Sequence, residues 1–313
     1  MKRSKRIQYF NELSNALSHV EHKAFDLIIQ MPIESQYFNQ IKQAAIDCIS
    51  VSFDSDEQLS ESTILNYLED RNSLAKLANK TPNGLIIPKK EFNNEFNHLH
   101  KVAALWLQSL KISHLYSHIF CPNNLRVVLG QESQEMARRN YSSSKIHVDL
   151  WSGDPADSIQ AFIPLFGDIE KTTVEFYQPP NGFEESYLGV IKDYNEVKDI
   201  FKNSLAYPVR PQIGLATITD AIVPHKTLRL GGTARVGLEI RWRLKKGDDD
   251  SDNLEKLCSI GRLERYIPAS EWHEIGMSKL MNFKDTYADA KKGIFTNLNN
   301  DEKTYTLVNQ TEK

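Results

Sequence analysis

A mainly β core flanked by α-helices, of the sandwich, barrel or jelly-roll kind, is the fold class the sequence predicts, and three observations predict it. About eight short segments between residues 122 and 245 are rich in β-branched and aromatic residues and are separated by Gly, Pro, Asn or Asp. Residues 1 to about 120 instead carry apolar residues at three- and four-residue spacing. A polar, acidic run, KKGDDDSDN at 245–253, closes the β region, and helical spacing returns after it.

Taken in order, SQYFNQIKQAAIDCI (35–49) and EFNNEFNHLHKVAALWLQSLKI (91–112) predict amphipathic helices, and TPNGLIIPKK (81–90) between them predicts a turn and a short extended piece bounded by prolines. Residues 1–120 are therefore expected to form a helical scaffold packed on the core. The core is expected over 121–246, with strands in NLRVVLG, KIHVDLW, SIQAFIPLF, TTVEFYQ, SYLGVIKDY, IGLATITDAIV, KTLRL and TARVGLEIRWRL. One helical insertion, NEVKDIFKNSLA (195–206), interrupts them. So many short strands in succession fit a jelly roll better than a parallel α/β sheet. NLEKLCSIGRLERYI and SEWHEIGMSKLMNFKDTYADAKK predict a helical C-terminal extension over 253–298, the second helix capped by Ser270 with Glu271 in its first turn. Residues 299–313 are expected to be a mobile tail, leaving one catalytic domain overall.

At 313 residues, with 40% hydrophobic and 25% charged residues, the chain has material for a sizeable core. A net charge of −3 and a pI near 6.3 argue against a broad basic surface holding nucleic acid. Cys48, Cys121 and Cys258 are widely separated and form no C-x-x-C pair, which speaks against a disulfide framework and for a reducing compartment. The N-terminus is basic and then polar rather than apolar, unlike a signal peptide, and no apolar run has the length of a membrane span. A cytoplasmic protein with a small-molecule substrate, and neither a membrane nor a nucleic-acid partner, is the expectation; a homodimer is compatible with it.

The chemistry-bearing pattern is His147-Val148-Asp149. In a strand, residues two apart share a face, so both side chains can look into one cavity. A second His from a distant strand would complete a facial set of two imidazoles and one carboxylate, which leaves open positions on Fe(II) for a cosubstrate and oxygen. His225, the one His between Asp149 and His273, stands late in the β region. Arg235 follows ten residues later, in TARVGLEIRWRL, with a guanidinium suited to bidentate recognition of a carboxylate.

The ordered set His147-x-Asp149, His225, Arg235, together with FIPLFGDI (162–169) and RVGLEIRWRL (235–244), resembles the iron(II)- and 2-oxoglutarate-dependent oxygenases of the double-stranded β-helix fold, which is jelly-roll and cupin-like. Within them it is similar to the phytanoyl-CoA hydroxylase-like branch, and HVDLWSGDP with the Pro-Leu strand is most like bacterial oxygenases found with carbohydrate and aminoglycoside biosynthesis. The resemblance covers roughly residues 120 to 245. It implies iron bound by His147, Asp149 and His225, 2-oxoglutarate held by Arg235, O2 as oxidant, and hydroxylation or related oxidation of a C–H bond in a small molecule such as a sugar or natural-product intermediate. Many relatives carry Ser or Thr two residues after the arginine, where this chain has Gly237; Arg229 and Arg241 are then alternative anchors. Gln160 and Phe162 are expected to line the cavity, and Trp151 or the Ser152–Pro155 turn to form its rim.

Other readings compete with this one. A cupin-like metalloenzyme of another reaction type, such as an isomerase, or a non-enzymatic sugar-binding jelly roll would use the same fold. His19-Val-Glu21 has the same spacing as His147-Val-Asp149 but falls in an expected helix, where residues two apart do not share a face. His114 and His118 are expected to meet on a helix face, His98 and His100 to lie in a helix, and His273 to have no partner. Ser142–Ser144 read as a flexible loop, Gly231-Gly232 as a tight hairpin, and Arg241 and Arg243 as partners of acidic residues on a sheet face. Asp220 is expected either in a turn or orienting a metal ligand.

Overall fold

The computed structural model describes residues 3–53, 55, 58–77, 79–180, 189–245, 263–284 and 304–310. The first part contains α1 (Arg3–Ala16), β1 (Lys23–Phe25), β2 (Ile28–Pro32), α2 (Ser35–Ser52), α3 (Glu61–Glu69), α4 (Arg71–Lys76) and α5 (Asn93–Ser109). Next come β3 (Tyr116–Phe120), β4 (Asn124–Val128), α6 (Gln134–Arg138), β5 (Ser158–Gly167), β6 (Thr172–Phe176), β7 (Leu215–Asp220), β8 (His225–Arg229) and β9 (Arg235–Leu244). The chain closes with β10 (Tyr266–Pro268), α7 (Ala269–Glu274), β11 (Lys279–Phe283) and β12 (Tyr305–Asn309).

An eight-stranded sheet in the order β1-β2-β7-β5-β9-β3-β10, with β4 also on β9, forms the core, and β6 and β8 make a separate two-stranded sheet. Every strand pair in both is antiparallel. The chain is thus sheet-rich with flanking helices, as the strand texture predicts. Among the described residues, no helix is long and apolar enough to cross a membrane.

The central strands explain how a polar site comes to lie inside this core. All ten residues of β9 are buried, and they alternate strictly: Val236, Leu238, Ile240, Trp242 and Leu244 join the hydrophobic core, while Arg235, Glu239 and Arg241 on the opposite face line an internal cavity. On the neighbouring β5, Ile159, Ala161 and Ile163 go to the core, and Gln160 and Phe162 to the cavity. Register fixes the match, with Gln160 opposite Arg241 and Phe162 opposite Glu239.

Several expectations are corrected. The N-terminal part is not purely helical: β2 extends the main sheet through β7, and Arg6 of α1 is buried, donating to Asp220 Oδ1 at 2.7 Å and to the Ala156 carbonyl at 2.7 Å. Asp220 therefore anchors α1 and, by accepting from Ile222 N at 3.0 Å, a turn, rather than orienting a metal ligand. His118 lies in β3 and His114 in the short 3-10 turn Ser113–Leu115, so they share no helix face. The insertion 195–206 is a 3-10 helix, Tyr194–Phe201, and residues 189–194 of SYLGVIKDY form no strand.

The C-terminal extension is mostly not helical in its described part. Gly276 takes φ +77°, and a Cβ there would come within 2.6 Å of the Asn97 carbonyl oxygen, so the helix ends after one turn and a half. KLMNF then reads at period two, burying Met281 and Phe283 as β11, which pairs with β12 where a mobile tail is expected. Asn97 of α5 fixes that ribbon by accepting from Met281 N at 2.7 Å and donating to the Met281 carbonyl at 2.8 Å. Pro268, not Ser270, precedes the helix. His273 does have a partner, the Tyr116 hydroxyl at 2.8 Å. The rest of the predicted helices, 253–262 and 285–298, lies outside the described residues.

Candidate metal centre

KIHVDLW is not a strand. His147 forms a single antiparallel bridge with His225, and Asp149 opens a 3-10 turn, Asp149–Ser152, that ends at Gly153 with φ +98°. A left-handed glycine so soon after the motif turns the chain away from the sheet. Val148 stays extended (φ −114°, ψ 145°), which keeps His147 and Asp149 directed to the same cavity. His225 begins β8, next to its bridge with His147.

The three side chains meet. One ligand atom from each of His147, Asp149 and His225 lies within 4.8 Å of the others, and His225 Nε2 is 3.9 Å from Asp149 Oδ1. His147 Nδ1 is 2.8 Å from the Lys145 carbonyl, and His225 Nδ1 is 3.1 Å from that of Val223. A carbonyl only accepts, so each Nδ1 is the donor and each Nε2 is left to face the cluster. Tyr194 stacks on His147 at 4.5 Å and 11° and fixes the ring plane from the other side.

Electrostatics suit His147 and Asp149 to ligation. Burial, reinforced by His225, pushes the His147 pKa down to about 3 against the pull of Asp149, so its imidazole is neutral at pH 7. Burial alone would raise Asp149, but Arg241 and then the two histidines hold it well below the usual carboxylate range. Arg241 Nη2 stands 3.5 Å from Asp149 Oδ2 and 3.2 Å from Glu239 Oε2, and Nη1 pairs with Asp154. Two imidazoles and one carboxylate converging on one point could hold a cation in the facial manner.

These residues line one cavity of about 480 Å³, and Gln160, Phe162, Arg235 and Arg241 line it too. That size falls within the range of small-molecule sites. Arg235 is 3% exposed and its side chain makes no hydrogen bond or ion pair with any described residue; its guanidinium lies over the Phe162 ring at 6.0 Å. Burial, only partly offset by Glu239, pulls its pKa down to about 10. A buried cation with no partner is costly unless something else pairs with it.

The alternative arginines are engaged. Arg241 is taken by three carboxylates, and Arg229 by Glu132, by Ser144 Oγ and by the Leu129 carbonyl; Arg229 does not line the cavity. Arg243 pairs with Asp157, as expected for a sheet-face arginine. Gly237 lies two residues from Arg235 on the same face, where a Cβ would come 3.1 Å from the Ile163 carbonyl oxygen and 3.6 Å from Arg235 Nη1. The tight contact is with the β5 backbone, and the distance to the guanidinium is an ordinary van der Waals one.

Further expectations fail here. Trp151 is fully buried against Tyr194 and Phe201 and forms no rim, while in the Ser152–Pro155 turn Ser152 lines the cavity and Asp154 secures Arg241. Ser142 and Ser144 are not a loose loop, since both hydroxyls donate to Glu132. Gly231-Gly232 joins β8 to β9 across two different sheets, so it is no hairpin; Gly130 packs directly on the Gly232 carbonyl. Sequence patterning gave no hint that Tyr194 or the turn after Lys80 would reach the cavity, because both come from irregular segments.

No protein-family model matches the chain, and no curated protein sequence matches it. Solved structures are similar to it at 10–13% identity. They include an N-substituted L-amino acid dioxygenase from Burkholderia ambifaria AMMD (11% identity, 75% of this chain and 91% of that one, TM-score 0.38). Another is the non-heme alpha-ketoglutarate-dependent epimerase SnoN from nogalamycin biosynthesis (11%, 84% and 96%, TM-score 0.39). A third is AviO1 from Streptomyces viridochromogenes Tue57 (13%, 81% and 98%, TM-score 0.37). At these scores the likeness adds nothing to the geometry of the site.

Proposed function

We propose that the protein is a non-haem iron(II)/2-oxoglutarate-dependent oxygenase acting on a small molecule. The eight-stranded and two-stranded sheets correspond, on this reading, to the two faces of a double-stranded β-helix. The observation that carries the proposal is Arg235, a buried guanidinium without a partner among the described residues, in the same cavity as a His-Asp-His cluster. A dicarboxylate that binds a metal at one end and an arginine at the other fits that pair of features.

In this role His147 Nε2, Asp149 and His225 Nε2 hold the ion, and the Lys145 and Val223 carbonyls keep both imidazoles in the ligating tautomer. Arg241 orients Asp149 and keeps it ionised. Arg235 receives the distal carboxylate of 2-oxoglutarate, and the Gln160 amide, whose oxygen lacks a partner among the described residues, hydrogen-bonds to the cosubstrate. Phe162, Val174 and Tyr194 supply apolar wall that excludes water from the reacting space. When bound, iron and 2-oxoglutarate supply the oxidation: the cosubstrate and O2 become succinate and carbon dioxide, and the second oxygen atom goes to the substrate.

A cupin-like isomerase or a sugar-binding jelly roll would leave Arg235 buried without a task. Incubation with Fe(II), 2-oxoglutarate and O2 is expected to yield succinate, and Arg235→Gln to abolish it. Metal binding with no effect of 2-oxoglutarate on any property of the protein would favour the isomerase.

A further inference from the structure

Two more cations face the cavity without a carboxylate. Lys80 and Arg139 both line it, and neither forms an ion pair with a described residue. The carboxylates nearby are occupied: Glu239 by Arg126 and Arg241, Asp149 by Arg241, and Glu132 by Arg229 with the hydroxyls of Ser142 and Ser144. Burial, with Arg139 and Arg229 nearby, holds the Lys80 ammonium below its usual pKa, and burial with Arg229 does the same to Arg139 against the pull of Glu132.

Their placement is built, not incidental. Both heads flank the Thr81–Gly84 turn: Arg139 Nη2 donates to Asn83 Oδ1 at 2.7 Å, and Lys80 Nζ is 3.5 Å from the Thr81 carbonyl. That turn is fixed from within by Gly84 N to the Thr81 carbonyl at 2.8 Å and Leu85 N to Thr81 Oγ1 at 3.0 Å. It is tied to the rest of the wall by Asn83 Nδ2 to the Tyr141 carbonyl at 3.0 Å and Arg126 Nη1 to the Asn83 carbonyl at 3.2 Å. Gly84, at φ +89°, allows the turn to press on β4, where a Cβ would come within 2.3 Å of the Val127 carbonyl oxygen. A rigid turn that holds two like charges on one cavity wall is a preorganised anion site.

We infer that the oxidised substrate carries an anionic group, a carboxylate or a phosphate, and that Lys80 and Arg139 bind it at the Thr81–Gly84 turn. The inference rests on the oxygenase reading in one respect, because that reading assigns Arg235 to the cosubstrate and leaves the other two cations for the substrate. Arg139, whose Nε donates to the Met136 carbonyl at 3.2 Å and whose Nη2 is held by Asn83, keeps Nη1 for an oxyanion, and Lys80 adds a point charge. Asn140 and Ser143, which line the same cavity, offer neutral polar groups for its remaining oxygens.

The test titrates inorganic phosphate in one arm and benzoate in the other into the full chain, anaerobically with Fe(II) and 2-oxoglutarate and again without them, with heat of binding as the readout. At least one probe is expected to bind the wild type, and which one does decides between phosphate and carboxylate. Lys80→Gln with Arg139→Gln is expected to weaken that probe at least ~10-fold and leave 2-oxoglutarate affinity within about twofold, whereas Arg235→Gln does the reverse. Lys80→Arg with Arg139→Lys, which keeps both charges, is expected to retain the probe and so exclude misfolding as the cause. Failure of both probes to bind the wild type, or a loss of 2-oxoglutarate rather than of the probe in the Lys80/Arg139 variant, overturns the inference. Probe binding without any metal or 2-oxoglutarate binding would overturn the oxygenase reading while leaving the anion site standing.

Discussion

His147 and His225 exchange both backbone hydrogen bonds, His147 N to the His225 carbonyl at 3.0 Å and His225 N to the His147 carbonyl at 2.8 Å. Residues paired in this way face each other directly, with both side chains on one side of the ribbon. The 77 intervening residues between Val148 and Pro224 therefore matter less to the centre than this one bridge, which sets the spacing of its two imidazoles (ring centroids 4.4 Å). Separate replacement of either by Ala is expected to lower Co(II) or Fe(II) affinity by about 100-fold or more. The rise in melting temperature that the wild type shows on metal addition should vanish in both variants.

Arg235 makes an opposite pair of predictions for stability and binding. Arg235→Met removes a buried cation that has no partner until a ligand arrives, so the ligand-free protein is expected to be unchanged or more stable by about 1 kcal/mol in urea unfolding. The same substitution should weaken 2-oxoglutarate by about 30-fold or more in calorimetric titration, since a charge-assisted bidentate contact is lost. Lysine at this position should restore part of the affinity.

The Arg6–Asp220 pair holds α1 against the end of β7, deep inside the protein, at 1% exposure for each residue. Asp220→Ala takes the carboxylate away from the buried Arg6 guanidinium, and is expected to cost about 3–5 kcal/mol in chemical denaturation. Substituting both residues with apolar groups should cost less than the single change.

His100 gives the protein an acid-sensitive joint. It lies fully buried in α5 against Trp272 at 4.4 Å, with Nε2 on the Trp272 carbonyl at 3.2 Å, and burial pushes its pKa down to about 3. In the unfolded chain it returns to about 6.5. Between those two values the unfolded state binds the extra proton, so stability is fully present above pH ~6.5 and falls by up to about 1.4 kcal/mol per pH unit as pH drops toward 3. Equilibrium unfolding of metal-free protein between pH 4 and 7 should show this slope, and His100→Asn should reduce it while leaving the share that His147, whose pKa is also pushed down to about 3, contributes.

How far the sequence reveals this molecule follows from which interactions are periodic. Strands β5 and β9 are legible because their two faces differ, and that alternation also marks Gln160 and Phe162 as cavity residues, whereas Arg235 is picked out by its spacing from His225 and by the resemblance. The ligand triplet is legible as a spacing, though not as a strand: a glycine at 153 turns the segment, and the extended Val148 preserves the shared direction. Asp220 is legible as a turn residue but not as an ion-pair partner, because Arg6 is 214 residues away in sequence. The C-terminal ribbon is misread because a helical pattern in 270–283 competes with Asn97, whose side chain binds both polar groups of Met281. Lys80 and Arg139 carry no pattern of their own; only the folded Thr81–Gly84 turn puts them on one wall.

The most direct measurement is the visible spectrum of the protein under anaerobic conditions as Fe(II) and then 2-oxoglutarate are added. A weak charge-transfer band that appears only when both are present, is absent in His147→Ala, and needs far more 2-oxoglutarate in Arg235→Gln is the expected result. Iron bound in stoichiometric amount with no band at any 2-oxoglutarate concentration would contradict the assignment of this cavity to a 2-oxoglutarate-dependent oxygenase.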